Sequence, residues 1–140
     1  MNDDEQTMAM WDTCLAITEQ LLLNTTYRSR SPAIMGVAAQ IITPASRHTD
    51  PKVRSMGIRC LGLLCLHDLN LAKSFIPFFL TIINNDTDAI RIVALKIVFD
   101  LLLIFGPKAL GDNKAVRSST PLHFVYLPTC VSESGKRSQR

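Results

Sequence analysis

The chain has none of the short motifs that carry catalysis: no GxxxxGK[ST], no GxGxxG and no HExxH occurs in it. Its histidines, His48, His67 and His123, stand far apart, and none lies in a nucleophile motif with Ser or Cys. Asp86 and Asp88 form a close pair of carboxylates, but a helix-capping turn accounts for both. No catalytic, cofactor-binding or metal-ligating residue is therefore assigned, and an enzyme is not expected. The four cysteines (Cys14, Cys60, Cys65 and Cys130) include no CxxC pair, so reduced, buried thiols acting as small hydrophobes are expected rather than a metal or redox site. No apolar run reaches the roughly 18–20 residues of a bilayer span. The densest, Leu101 to Phe105, stops at Gly106-Pro107. The start, MNDDEQT, is acidic where a secretory signal would be basic. The expectation is a soluble intracellular protein with no membrane partner, no cofactor and no small-molecule substrate. Aromatics are scarce, at 6%, while Leu, Ile and Ala abound, a balance that suits packed helices better than sheets.

What the chain does contain is divided along its length. Over 140 residues it is 47% hydrophobic, enough for one domain with a core. The formal charge of +3 is not spread evenly. Residues 1–110 hold ten basic and ten acidic side chains, so residues 111–140, with five basic against two acidic, carry all of the excess. Residues 1–26 hold five acids and no Lys or Arg. This is polarity along a chain, not the composition of a basic nucleic-acid domain.

One stretch, Thr49 to Asp68, organises the rest. Asp50-Pro51 is a helix start: Asp accepts the free N–H groups and Pro is tolerated in the first turn. Val53, Gly57, Cys60, Leu61 and Leu64 follow at helical spacing as one buried stripe. Moving on by 37 residues pairs Val53-Arg54 with Ile90-Arg91, Gly57 with Ala94, Ile58 with Leu95, Leu61 with Val98 and Leu64 with Leu101. Self-similarity at about 40 residues, with two helices per period, indicates an all-α fold, a HEAT/armadillo-like α-solenoid segment of about five helices.

In chain order, residues 1–8 read as a disordered start, 9–110 as the helical repeat segment and 111–140 as a disordered basic tail. The first helix spans about Ala9 to Leu23 on a stripe of Trp11, Leu15, Leu22 and either Ile17 or Thr18, with Asp12 and Glu19 outward. Ser31-Pro32 starts the second, in which Pro44 should kink the helix or tighten its last turn. The third runs from Pro51 to Leu66. Asp68 caps the fourth, which holds Leu71, Ala72, Phe75, Ile76, Phe79, Leu80 and Ile83, and Pro77 should bend it near Lys73 and Ser74. The fifth spans about Asp88 to Phe105 and ends at Gly106-Pro107. Leu122 to Leu127 could pass for a short strand with nothing to pair with.

The polar positions offer two readings. Lys52, Ser55 and Arg59 lie opposite the apolar stripe, and the 37-residue offset places Lys96 on Arg59. Lys52, Arg59 and Lys96 are thus candidate partner- or DNA-facing residues, a basic ladder for an acidic peptide or a phosphate backbone. A solvated helix face explains them as well, since two charges do not make a patch. Arg54 and Arg91, each just after the residue that opens the stripe, are expected to fork to a turn carboxylate such as Asp50 or Asp88 and hold repeats in register.

The run DPKVRSMGIRCLGLLCLHDLNLAKSFIPFFL, followed by DAIRIVALKIVFDLLLIFG, resembles the C-terminal HEAT region of the condensin complex subunit 3 family, the G-type non-SMC subunits. The likeness rests on D-P-x-V-R, G-x-R-C-L-G-L, a D-x-x-L-A-K turn and the I-x-A-L-K-x-x-F-D-L-L helix, over about residues 11 to 106. It implies a scaffold and not an enzyme: a subunit that binds the kleisin of condensin, assembles with SMC subunits and helps to hold DNA during mitotic chromosome condensation. It also implies a nuclear and chromosomal location with a cytoplasmic pool. Family chains carry many repeats and this one two full pairs and a leading helix, which implies a fragment or truncated form. A generic peptide-binding HEAT adaptor of the transport or trafficking kind shares the periodicity but not the quoted runs.

Overall fold

A computed structural model describes residues 3–24 and 31–111, all but the turns of which are helical. The long helices are α1 (Asp3–Asn24), α4 (Pro51–Leu66), α5 (Leu69–Asn85) and α6 (Asp88–Phe105). The second expected helix is an interrupted rod: α2 (Pro32–Val37), a π-helical turn (Ala38–Ile42) and α3 (Thr43–Ser46). A short α7 (Pro107–Gly111) follows α6. α4 is the hub and packs against α1, α3, α5 and α6. α1, α4 and α6 form one layer, with the α2–α3 rod and α5 in the other. This is the two-helix repeat of an α-solenoid.

Local chemistry explains the helix starts. Ser31 accepts the Ile34 N–H, Asp50 accepts those of Lys52 and Val53, and Asp68 accepts those of Asn70 and Leu71. α1 begins at Asp3, six residues before the expected start, because Asp3, Asp4 and Glu5 put negative charge on the N-terminal end of the helix dipole. α6 departs from expectation at its own start. Thr87 stands at the N-cap with no side-chain cap bond, and neither Asp86 nor Asp88 caps the helix.

Pro44 acts in the direction opposite to a tightened turn. Lacking an N–H, it cannot bond four residues back, and the helix widens just before it. The Thr43 backbone N–H reaches the Ala38 carbonyl, five residues away, and the Thr43 hydroxyl donates to the same oxygen at 2.9 Å. Pro77, by contrast, sits inside a helix that is continuous from Leu69 to Asn85.

The core follows the periodic stripe and then exceeds it. Val53, Gly57, Cys60, Leu61 and Leu64 are buried as expected, but so are Ile58, Gly62 and Cys65, because α4 is covered on two sides. Gly57 and Gly62 mark the closest approaches. A Cβ on Gly57 would lie 2.4 Å from the Ser46 backbone nitrogen, and one on Gly62 would lie 2.6 Å from Ile97. In α6, Ile90, Ala94, Ile97 and Leu101 are buried, one face only. In α1, Leu15, Thr18 and Leu22 are buried while Ile17 is exposed. Cys60 and Cys65 are buried and unbridged and Cys14 is half-buried. No helix among the described residues is long and apolar enough to cross a membrane. The tail expected over 111–140 and the strand-like Leu122–Leu127 lie outside the described residues, save Gly111, which ends α7.

Candidate interaction surface

α1, α4 and α6 lie side by side and enclose an open groove of about 490 Å³. Leu23, Leu63, Leu66, Val93 and Ile97 supply its apolar surface, with Gly62 also in the lining. Its charged lining is Glu19 from α1, Arg59 from α4, and Lys96 and Asp100 from α6. The 37-residue offset therefore does bring Arg59 and Lys96 to one surface. Lys52 is exposed on α4, outside this lining.

The surface is charge-balanced, unlike a basic ladder. Arg59 is paired with Glu19 at 2.6 Å, and Lys52 bonds to Asp12, one turn-pair earlier on the same two helices. Asp12 and Glu19, expected to face outward, instead hold α1 against α4, and both rungs span 40 residues of chain. The Asp12 hydrogen bond and charge raise the Lys52 pKa above its ordinary value. Lys96 has no ion-pair partner among the described residues. Sequence reasoning missed these rungs. The available signal was acids seven residues apart on α1 matching bases seven residues apart on α4.

The expected register ladder has a different geometry. Arg54 forks to Asp86, Nε to Oδ2 at 3.2 Å and Nη2 to Oδ1 at 3.0 Å, and not to Asp50 or Asp88. Its Nη1 also donates to the carbonyls of His48 and Thr49, at 2.9 and 3.1 Å. One guanidinium thus ties the turn before α4 to the turn before α6. Partial burial pushes the Asp86 pKa up, but hydrogen bonds from Arg54 and the Thr87 N–H outweigh it and hold the carboxyl below its usual range. Asp50 caps its own helix, and Asp88 pairs with Arg91 within α6 at 3.0 Å, where the two side chains are 91% and 47% exposed. Arg91 further donates to the Ile83 carbonyl at 2.8 Å.

Two more polar contacts pin α1. The His67 ring donates through Nε2 to the Leu22 carbonyl at 3.1 Å, and the Trp11 and His48 rings stand 5.6 Å apart. The Cys60 thiol points at the Leu15 carbonyl, 3.7 Å away. Burial pushes its pKa up to about 12 and also raises that of Cys65, so neither offers a thiolate near neutrality. No group of three His, Cys, Asp or Glu among the described residues could hold a metal ion.

A family model described as "Nuclear condensing complex subunits, C-term domain" matches residues 13–133. The chain belongs to that family. The match begins in α1, takes in every later element and runs past the expected boundary at 110. Condensin complex subunit 3 of Saccharomyces cerevisiae is 27% identical over 126 residues, which cover 84% of this chain and 12% of the yeast protein. The human protein of the same name is 29% identical over 113 residues, covering 81% of this chain and 11% of its own length. The chain thus spans about an eighth of the length of these relatives. A solved structure, that of the S. pombe condensin Cnd3-Cnd2 subcomplex, matches with a TM-score of 0.70 at 23% identity, over 76% of this chain and 15% of the solved one. That likeness establishes the fold as the solenoid type of a condensin subunit.

Proposed function

We propose that the chain is a non-catalytic scaffold segment of a condensin-type complex, contributing to mitotic chromosome condensation by associating with the kleisin subunit and, within the complex, with SMC subunits and DNA. The observation that carries this is the family match across residues 13–133, coincident with the helical repeats. The solved neighbour, a two-protein Cnd3-Cnd2 assembly, is in keeping with a protein partner. The location that follows is the nucleus and mitotic chromosomes, with a cytoplasmic pool. The α1–α4–α6 groove is the surface offered for a partner. Its apolar floor supplies contact area, and Lys96, with no ion pair among the described residues, supplies a free cation.

The test is a pull-down of the full chain from mitotic extract, after circular dichroism has shown it helical. Recovery of kleisin and SMC subunits is expected, and Lys96→Glu is expected to reduce it. A helical chain that recovers neither would overturn the reading. Lys52, Arg59 and Lys96 remain candidates for DNA contact. If they make it, binding should weaken with salt by a slope that Lys96→Glu lowers by about one. A trafficking-type adaptor would instead retain transport proteins in the same pull-down.

A further inference from the structure

The charges around the α1–α4–α6 groove say what kind of ligand suits it. α4 packs between α1 and α6, so Leu63 and Leu66 lie on the floor of a trough, with Leu23 on one wall and Lys96 and Asp100 on the other. The three helices run in one direction. The Asp12–Lys52 and Glu19–Arg59 rungs align α1 with α4. Arg54 at the start of α4 reaches Asp86 just before α6, and Gly62 farther along α4 meets Ile97 of α6. From Arg59 to Leu66 the floor is about 10 Å long at the helical rise, or about two turns of a helix laid along it.

Two of the four charges are already satisfied, since Glu19 and Arg59 hold each other at 2.6 Å. Lys96 and Asp100 are exposed, and neither has an ion pair among the described residues, with each other or elsewhere. A base four residues ahead of an acid is the poorer order for pairing within one helix, so both charges stay open to a ligand. They share one face of α6, about 6 Å apart along its axis. The groove thus presents one free base and one free acid, a turn apart, beside apolar surface.

A phosphate backbone would gain Lys96 but meet Asp100 as a like charge, and it would leave the leucines uncovered. A uniformly acidic peptide meets the same opposition. An amphipathic helix with a base and an acid four residues apart satisfies both charges at once and lays its apolar side on Leu63 and Leu66. The dipoles of α1, α4 and α6 point the same way, which favours a helix laid in the opposite direction. Running that way, it meets Asp100 before Lys96, so its base comes before its acid.

We propose that the groove binds an amphipathic helical segment of a protein partner, antiparallel to α4 and carrying Lys or Arg four residues before Asp or Glu. This rests on the reading of the groove as a partner-binding surface and adds the chemistry of what it binds.

Phage display of single-helix peptides with randomised surfaces, selected on the immobilised full chain, tests it. The enriched sequences should carry Lys or Arg followed four residues later by Asp or Glu, with apolar residues on the same face. Lys96→Asp combined with Asp100→Lys exchanges the two charges at exposed positions, and circular dichroism should show the helices kept. That variant should enrich the opposite order, acid before base. A fluorescein-labelled selected peptide should bind Lys96→Glu about tenfold more weakly than the unaltered chain and recover when its own acid is changed to Lys. No enrichment, enrichment without the four-residue spacing, or the same order on the exchanged chain would overturn the proposal. So would displacement of the labelled peptide by a DNA duplex at matching concentration, which gives the groove to phosphate. The two readings fail separately. Loss of kleisin and SMC recovery in the pull-down defeats the condensin reading, whereas the order of charges in the selected peptides decides this one whatever the pull-down retains.

Discussion

α4 and α6 are the same repeat helix in two different situations. Along the inner stripe they agree: Val53 and Ile90, Gly57 and Ala94, Cys60 and Ile97, and Leu64 and Leu101 are all buried. At the positions that face the next repeat they part, with Ile58 fully buried and Leu95 44% exposed. The arginines repeat the contrast. Arg54 is closed on Asp86 of the following turn, while Arg91 meets no carboxylate of a later turn and bonds to Asp88 of its own helix and the Ile83 carbonyl of the preceding one. Inner-face burial thus belongs to each helix pair, whereas outer-face burial belongs to the stack. In a solenoid those two terms are separate contributions to stability.

The contrast is broken most strongly at its most buried pair. Ile58→Ala removes a fully buried side chain and should cost about 3–4 kcal/mol. Leu95→Ala, at the equivalent place, should cost under about 1 kcal/mol, since much of that side chain is already in water. Urea unfolding midpoints for the two variants measure the difference. Equal losses would mean that the outer face of α6 is covered in solution.

Next in size is the backbone approach at Gly57. A Cβ there meets the backbone of Ala45 and Ser46 within 2.5 Å, which a side-chain rotation cannot relieve. Gly57→Ala gains about 1 kcal/mol in helix propensity. Overpacking against rigid backbone should exceed that and leave a net loss of about 2 kcal/mol. The counterpart of Gly57, Ala94, already accommodates a Cβ, and Ala94→Gly should cost about 1 kcal/mol through propensity and a small cavity. A stabilised Gly57→Ala variant would show that α3 moves aside.

The arginines come third. Arg54→Ala strands a partly buried carboxylate and two carbonyls and should cost about 1.5–3 kcal/mol, whereas Arg91→Ala should stay within about 0.5 kcal/mol, as exposed pairs do. A double-mutant cycle of Arg54 with Asp86 isolates the fork from the carbonyl contacts.

How much of this was legible in sequence follows the same division. The inner stripe and three of the helix caps were readable because period and capping are local: Val53 to Leu64 and the Asp50 and Asp68 caps needed nothing from a distance. The 37-residue offset carried most of the inner stripe to α6, with Val98 only half-buried where Leu61 is buried, but it could not say that Leu95 and Phe99 lack the cover that Ile58 and Gly62 have. Pro44 announced a disturbed helix without its direction, because widening or tightening depends on where Thr43 finds an acceptor. The ion pairs were the least legible part. Asp86 looked like a capping residue, and Asp12 and Glu19 looked outward, since their partners are set by how separate helices dock. For the surface, Arg59 and Lys96 were correctly placed together, while Glu19 and Asp100, which balance them, were not anticipated.

The smallest effect is also the most specific to the closed arginine. Asp86 has a folded-state pKa held below its ordinary 3.8 by hydrogen bonds from Arg54 and the Thr87 N–H, which outweigh the upward push of partial burial. A carboxylate so depressed binds fewer protons folded than unfolded as the pH falls through that value. Its contribution is therefore complete above the unfolded pKa and is lost progressively below it, through the lower folded pKa. Stability measured from neutral to strongly acidic conditions should show a fall in that window that Asp86→Asn flattens. Asp88→Asn, at the exposed pair with Arg91, is the control for loss of one negative charge in the same turn. If instead the two substitutions flattened it equally, the turn before α6 would be held by its net negative charge and not by the fork from α4.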